Sequence, residues 1–105
     1  MLLKCVKRSQ LTVSSTAVVL VTTDFTPNRK TDSYSVYYAD IQVTGANVRY
    51  TSDGATTATT AIGTIWYKGQ IKRVWGETNL KNLSFIRDDS TDAVLEIEYF
   101  GGPPK

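Results

Sequence analysis

With 105 residues the chain has room for one hydrophobic core and not for two. Twelve basic side chains against ten acidic ones leave a formal charge of +2. The basic pairs Lys7-Arg8, Arg29-Lys30 and Lys72-Arg73 are dispersed, so the charge points to neither a nucleic-acid nor a membrane-surface partner.

The opening "MLLKCVKRSQ" has no apolar core of the kind a secretory signal needs, and no stretch approaches the roughly 18 apolar residues of a membrane span. The expectation is a soluble chain made in a reducing compartment. Leu3 to Arg8 is the first strand candidate, with residues 1–10 forming an N-terminal strand or arm. Cys5, the single cysteine, lies in this alternating run and is expected to be a half-buried, unreactive thiol. Ala17 to Thr22 ("AVVLVT") is a continuous apolar run, and Asp24 to Asp32 forms a loop around Pro27-Asn28.

Ser35 to Val43 alternates, with Tyr37, Ala39, Ile41 and Val43 on one face and Val36, Tyr38, Asp40 and Gln42 on the other. Thr44 to Asn47 turns the chain into Val48–Thr51. A Thr- and Ala-rich insert follows and leads into Ile62–Tyr67. Lys68-Gly69-Gln70 then makes a tight connection to Ile71–Trp75. Leu83 to Arg87 and Ala93 to Phe100 are two more strands, joined by a polar hairpin loop at Asp88–Asp92. In the last strand Leu95, Ile97 and Tyr99 face the core and Glu96 and Glu98 face out. The tail "GGPPK", residues 101–105, is expected to stay out of any sheet interior as a terminal arm held by a neighbouring subunit, because Pro lacks a donor and Gly has no side chain to pack.

No window sustains helical spacing over three turns, and β-branched and aromatic residues are abundant. Seven or eight short strands without crossover helices predict an all-β fold. It is a single antiparallel β-sandwich spanning residues 1–105, jelly-roll or Ig-like, with arms at both ends.

The chemistry for catalysis is sparse. Histidine is absent, which removes the commonest general base, metal ligand and nucleophile activator. The aspartates sit in turns, where no desolvated pocket raises a carboxyl pKa. "RDDSTD" (Arg87–Asp92) lacks the central Gly and the bidentate Glu of a calcium loop, and "SDGATTATTAIG" lacks the GxxxxGK[ST] spacing of a phosphate cradle. The expectation is a protein that is not an enzyme and holds neither cofactor nor metal.

The aromatic residues are the remaining functional candidates. Neighbours on a strand point to opposite faces, so one member of each pair Tyr37-Tyr38, Trp66-Tyr67 and Tyr99-Phe100 must face outward. Outward Tyr and Trp side chains anchor protein partners or stack on sugars. Tyr38, Trp66, Tyr67 and Phe100, with Pro103 and Pro104 of the tail, are the candidate interface residues.

"ADIQVTGANVRYTSDGATTATTAIGTIWYKGQ" followed by "NLKNLSFIRDDSTDAVLEIEYF" resembles the small β-sandwich virion proteins of tailed bacteriophages. The matching positions are Gly45, Val48, Tyr50, Asp53, Gly54, Gly63, Gly69, Leu83, Ile86, Ala93, Leu95, Ile97 and Tyr99, within residues 36–100. The resemblance implies a structural role in the virion, after synthesis in the host cytoplasm, as a capsid decoration or as a head-to-tail or tail component. It also implies a homo-oligomer whose partners are copies of itself and other virion proteins (major capsid, portal or adaptor, or tail protein), with no nucleic acid and no membrane. The Thr-rich insert is then a long connection between two core strands at one end of the sandwich, touching the next subunit or forming an outward tip. The alternative is a small adhesin-type carbohydrate-binding module in which Trp66, Tyr67 or Trp75 stacks on sugar beside Asn, Asp or Gln side chains.

Overall fold

In the computed structural model, residues 3–25 and 35–102 are described. Eight strands run β1 (Lys4–Val13), β2 (Val18–Val19), β3 (Ser35–Thr44), β4 (Val48–Thr51), β5 (Thr64–Trp66), β6 (Ile71–Trp75), β7 (Ser84–Arg87) and β8 (Ala93–Gly102). They form two four-stranded antiparallel sheets, ordered β1-β8-β3-β6 and β2-β7-β4-β5. The chain changes sheet at every connection except β4 to β5. Each strand also pairs with its counterpart from the other end of the chain: β1 with β8, β2 with β7, β3 with β6, β4 with β5. This is one long hairpin rolled into a sandwich, the jelly-roll order, and it decides between the two expected sandwich types.

The core is the inner face of both sheets. Val13, Ile41, Val48, Trp66, Phe85, Leu95 and Tyr99 are all fully buried in it. In β8 the alternation is as the sequence dictates: Leu95, Ile97 and Tyr99 are at most 1% exposed, while Glu96 and Glu98 lie on the outer face. The outer face of the first sheet carries two charged groups that between them involve all four strands. Gln10 donates to the Glu96 carboxylate, Arg8 spans Glu96 and Glu98 at 3.7 and 3.5 Å, and Arg73 grips Asp40 through two bonds of 2.8 and 3.1 Å.

Several sequence expectations change. The loop Asp88–Asp92 is a corner between sheets rather than a hairpin, because β7 and β8 belong to different sheets, and the turns Thr44–Asn47 and Lys68–Gln70 are corners of the same kind. β1 is longer than Leu3–Arg8, and the apolar run Ala17–Thr22 contributes only two paired residues before a 3-10 turn at Thr22–Asp24. A short helix, α1 (Glu77–Lys81), seals one end by burying Leu80 completely. Five residues are too few to show a helical period. Cys5 is exposed rather than half-buried.

The tail is corrected as well. Gly101 and Gly102 belong to β8, where Gly101 faces Lys4 on one side and Val36 on the other. The missing side chain is what admits Gly101: a Cβ there would lie 1.7 Å from the Ser35 carbonyl oxygen. Beside it, β3 is irregular between Val36 and Tyr38, and this shift takes Val36 off the face it was expected to share with Tyr38, Asp40 and Gln42 and into the core, 1% exposed.

Candidate functional site

The pairs Trp66-Tyr67 and Tyr99-Phe100 divide between core and surface as strand geometry requires, whereas at Tyr37-Tyr38, beside the irregularity in β3, neither ring joins the core cluster. Trp66 is fully buried, edge-on to Tyr50 at 5.3 Å, and its Nε1–H donates to the Gln70 carbonyl at 2.9 Å. It is a core residue and presents nothing to a partner. The outward member of that pair is Tyr67, 59% exposed. Tyr99 is buried and Phe100 lies on the outer face.

Tyr38 points outward but is covered: it stacks on Phe100 at 5.0 Å, leans on Trp75 at 4.6 Å and carries the Arg73 guanidinium 4.1 Å above its ring. Only Trp75, at the end of this row, remains open, at 55% exposure. Pro103 and Pro104 lie outside the described residues.

One side of the sandwich is formed by β5 and β6, each an edge strand of its sheet, and the other by β1 and β2. Ile62, Tyr67, Ile71 and Trp75 are each more than half exposed along this stretch of chain. The sequence alone does not assign Trp75 a face, because "IKRVW" places apolar residues at both parities. In the fold Ile71, Arg73 and Trp75 take the outer face, and Lys72 and Val74 turn inward opposite Ile41 and Ala39.

Lys72 is therefore a cation on the core-facing side of an edge strand. Its Nζ sits 5.4 and 5.6 Å from the ring centres of Tyr50 and Trp66 and donates to the Tyr50 hydroxyl at 3.4 Å. Among the described residues no carboxylate pairs with it. A groove of about 370 Å³ opens here, lined among others by Tyr50, Ser52, Lys72, Trp75 and Asn79, and containing no acidic side chain.

The Thr-rich stretch joins β4 to β5 and is thus the tip of the rolled hairpin. It is held by its own side chains. Asp53 accepts from the backbone N–H of Thr56 (2.8 Å) and Ala55 (3.0 Å) and from the Thr56 hydroxyl (2.7 Å), and these donors pull its carboxyl down to about 2. The Thr51 hydroxyl donates to the Thr56 carbonyl, and Thr59 caps the amides of Ala61 and Ile62. Ala58, 1% exposed, plugs inward and donates its N–H to the buried Ser84 hydroxyl at 3.1 Å. Arg49 clamps the return strand, reaching the Gly63 carbonyl at 3.1 Å and Asp88 at 2.8 Å. Among the described residues no three Cys, Asp or Glu side chains gather as a metal site would need.

Compared with protein-family models, with curated proteins and with solved structures, the chain matches none. The fold and the surface therefore carry the functional argument.

Proposed function

We propose that the chain is a non-enzymatic structural protein of a tailed-phage virion, a decoration or head-to-tail component that works through contacts with copies of itself and with larger virion proteins. The observation that supports this reading most is the run of exposed apolar side chains from Ile62 to Trp75, a larger group than Leu3, Val19 and Val21, which are exposed elsewhere. Ile62, Tyr67, Ile71 and Trp75 are 51, 59, 60 and 55% exposed within a single stretch of the chain. Single exposed apolar residues are ordinary, whereas a group of large ones along one edge marks a contact surface. The jelly-roll order agrees with the reading, since this architecture serves repeatedly in shell-forming domains.

Light scattering across a wide concentration range tests it. A closed oligomer, trimer or larger, is expected for the wild-type chain, and Tyr67→Ser with Ile71→Ser should leave a folded monomer. A wild-type chain that stays monomeric at every concentration refutes assembly through copies of itself.

A further inference from the structure

The groove beside β6 has features that a purely protein-packing surface does not require. Lys72 lies half-buried between two aromatic rings, with no carboxylate partner among the described residues. Its neighbour Arg73 differs, because Asp40 neutralises it through two hydrogen bonds. Burying part of a cation without its counter-charge is unfavourable, and a ligand that supplies the missing anion recovers that cost.

The other lining groups describe the rest of such a ligand. Trp75 stands at the rim on the outer face, 55% exposed, with Tyr38 at 4.6 Å and the Arg73 guanidinium at 6.0 Å on its ring and the remainder open. Ser52 adds a hydroxyl, and Asn79 adds an amide whose nitrogen donates to the Trp75 carbonyl at 2.8 Å while its oxygen is an acceptor suited to a hydroxyl. A flat apolar platform, a few hydroxyl and amide groups and one unpaired cation match a pyranose ring bearing a carboxylate.

An added peptide strand fits less well. The N–H of Gly69 and of Gly76 and the carbonyl of Gln70 are bonded to β3, so by alternation the free edge of β6 presents Ile71, Arg73 and Trp75. Of these, the Trp75 carbonyl is already occupied by Asn79. An inward-pointing lysine is, besides, a device by which edge strands discourage pairing.

We infer that the groove between β4 and β6 is a binding site for an acidic saccharide, with Lys72 meeting the carboxylate and Trp75 stacking on the sugar ring. This goes beyond the assembly reading and does not depend on it.

The test is a tryptophan-fluorescence titration of the full chain with a hyaluronan tetrasaccharide, which carries uronic acid, against neutral chitotetraose and a pentaglutamate peptide. Saturable binding of the acidic saccharide, at least tenfold tighter than either control, is expected. Lys72→Met, which keeps the stem over the rings, should weaken it tenfold or more, as should Trp75→Leu at the exposed rim. Asn79→Ala should weaken it severalfold; if Lys72→Met does not fold, the two rim variants decide. No saturation at millimolar sugar overturns the inference, as does equal affinity for chitotetraose or preference for the peptide. So does unchanged affinity in Lys72→Met accompanied by new self-association, which would make Lys72 an edge guard only.

Discussion

Replacing Gly101 by alanine should be among the most damaging single-methyl changes this chain can suffer. The added Cβ would stand 1.7 Å from the Ser35 carbonyl oxygen and 2.7 Å from its carbon, where ordinary contact begins at 3.4 Å. Both atoms are main chain, so no side-chain rotation relieves the clash. β8 and β3 must separate by well over an ångström. The neighbouring pairs Ser35↔Gly102 and Tyr38↔Phe100 lie on the same ladder and open with them. Overpacking costs about 1–3 kcal/mol, and two lost ladder bonds add about 1 kcal/mol each. The sum, about 3–5 kcal/mol, is a large share of the roughly 5–15 kcal/mol that holds a domain of this size together. Thermal unfolding followed by circular dichroism should show the midpoint falling by roughly 12 °C or more. Gly69→Ala is the control: its φ of +88° disfavours a side chain, but nothing lies within 4 Å of the new carbon. That variant should lose only about 1–2 kcal/mol. A Gly101→Ala chain that melts within 2 °C of wild type, or no lower than Gly69→Ala, refutes the close-approach argument.

Trp66→Ala should cost about 3–5 kcal/mol by opening a cavity in the core and removing one of the two donors on the Gln70 carbonyl, read as a lower urea midpoint. Arg49→Met should cost about 1–2 kcal/mol, since it cuts the links to Asp88 and Gly63 while keeping the stem, and a thermal melt checks it. Asp53 has a folded-state pKa lowered from 3.8 to about 2, so its hold on the loop is fully present above pH 3.8 and disappears as pH falls through about 2. The amide resonances of Ala55 and Thr56 should accordingly shift with a midpoint near 2 in an NMR titration and stay constant from pH 7 to 5; a midpoint near 4 would contradict the hydrogen-bonded turn.

The sequence announces strands far better than it announces their partners. The alternation of Leu95, Ile97 and Tyr99 against Glu96 and Glu98 is a local property, and it survives unchanged in the fold. A short polar turn such as Asp88–Asp92, by contrast, serves equally well to return a strand beside its neighbour or to carry the chain to the facing sheet. What decides is where the apolar faces meet, which is a property of the whole chain. The aromatic pairs behaved the same way: alternation requires one member to face out, yet only the edge position of β6 explains why Trp75 is exposed and Lys72 is inside. Gly101 shows the limit from the other direction. A glycine pair before two prolines suggests a terminus released from the sheet, and only the approach of Ser35 reveals a strand that needs glycine there.

The two functional proposals share Trp75 but divide the rest of the β5–β6 side between them. Tyr67 and Ile71 flank the tight turn and belong to the apolar contact surface, whereas Lys72, Ser52 and Asn79 belong to the groove. Lys72 and Asn79 also bear on how any subunit could approach. With β6 guarded by an inward charge and its Trp75 carbonyl already bonded, a partner gains little by extending the sheet and must pack side chain against side chain. Such a contact can bury Tyr67 and Ile71 while leaving the groove open at Trp75. A particle built this way would display one groove per copy, and many weak sugar sites on a single assembly bind far more tightly than one. Self-association and saccharide binding are therefore compatible on this edge, and a saccharide-loaded chain should keep the oligomeric mass of the free one.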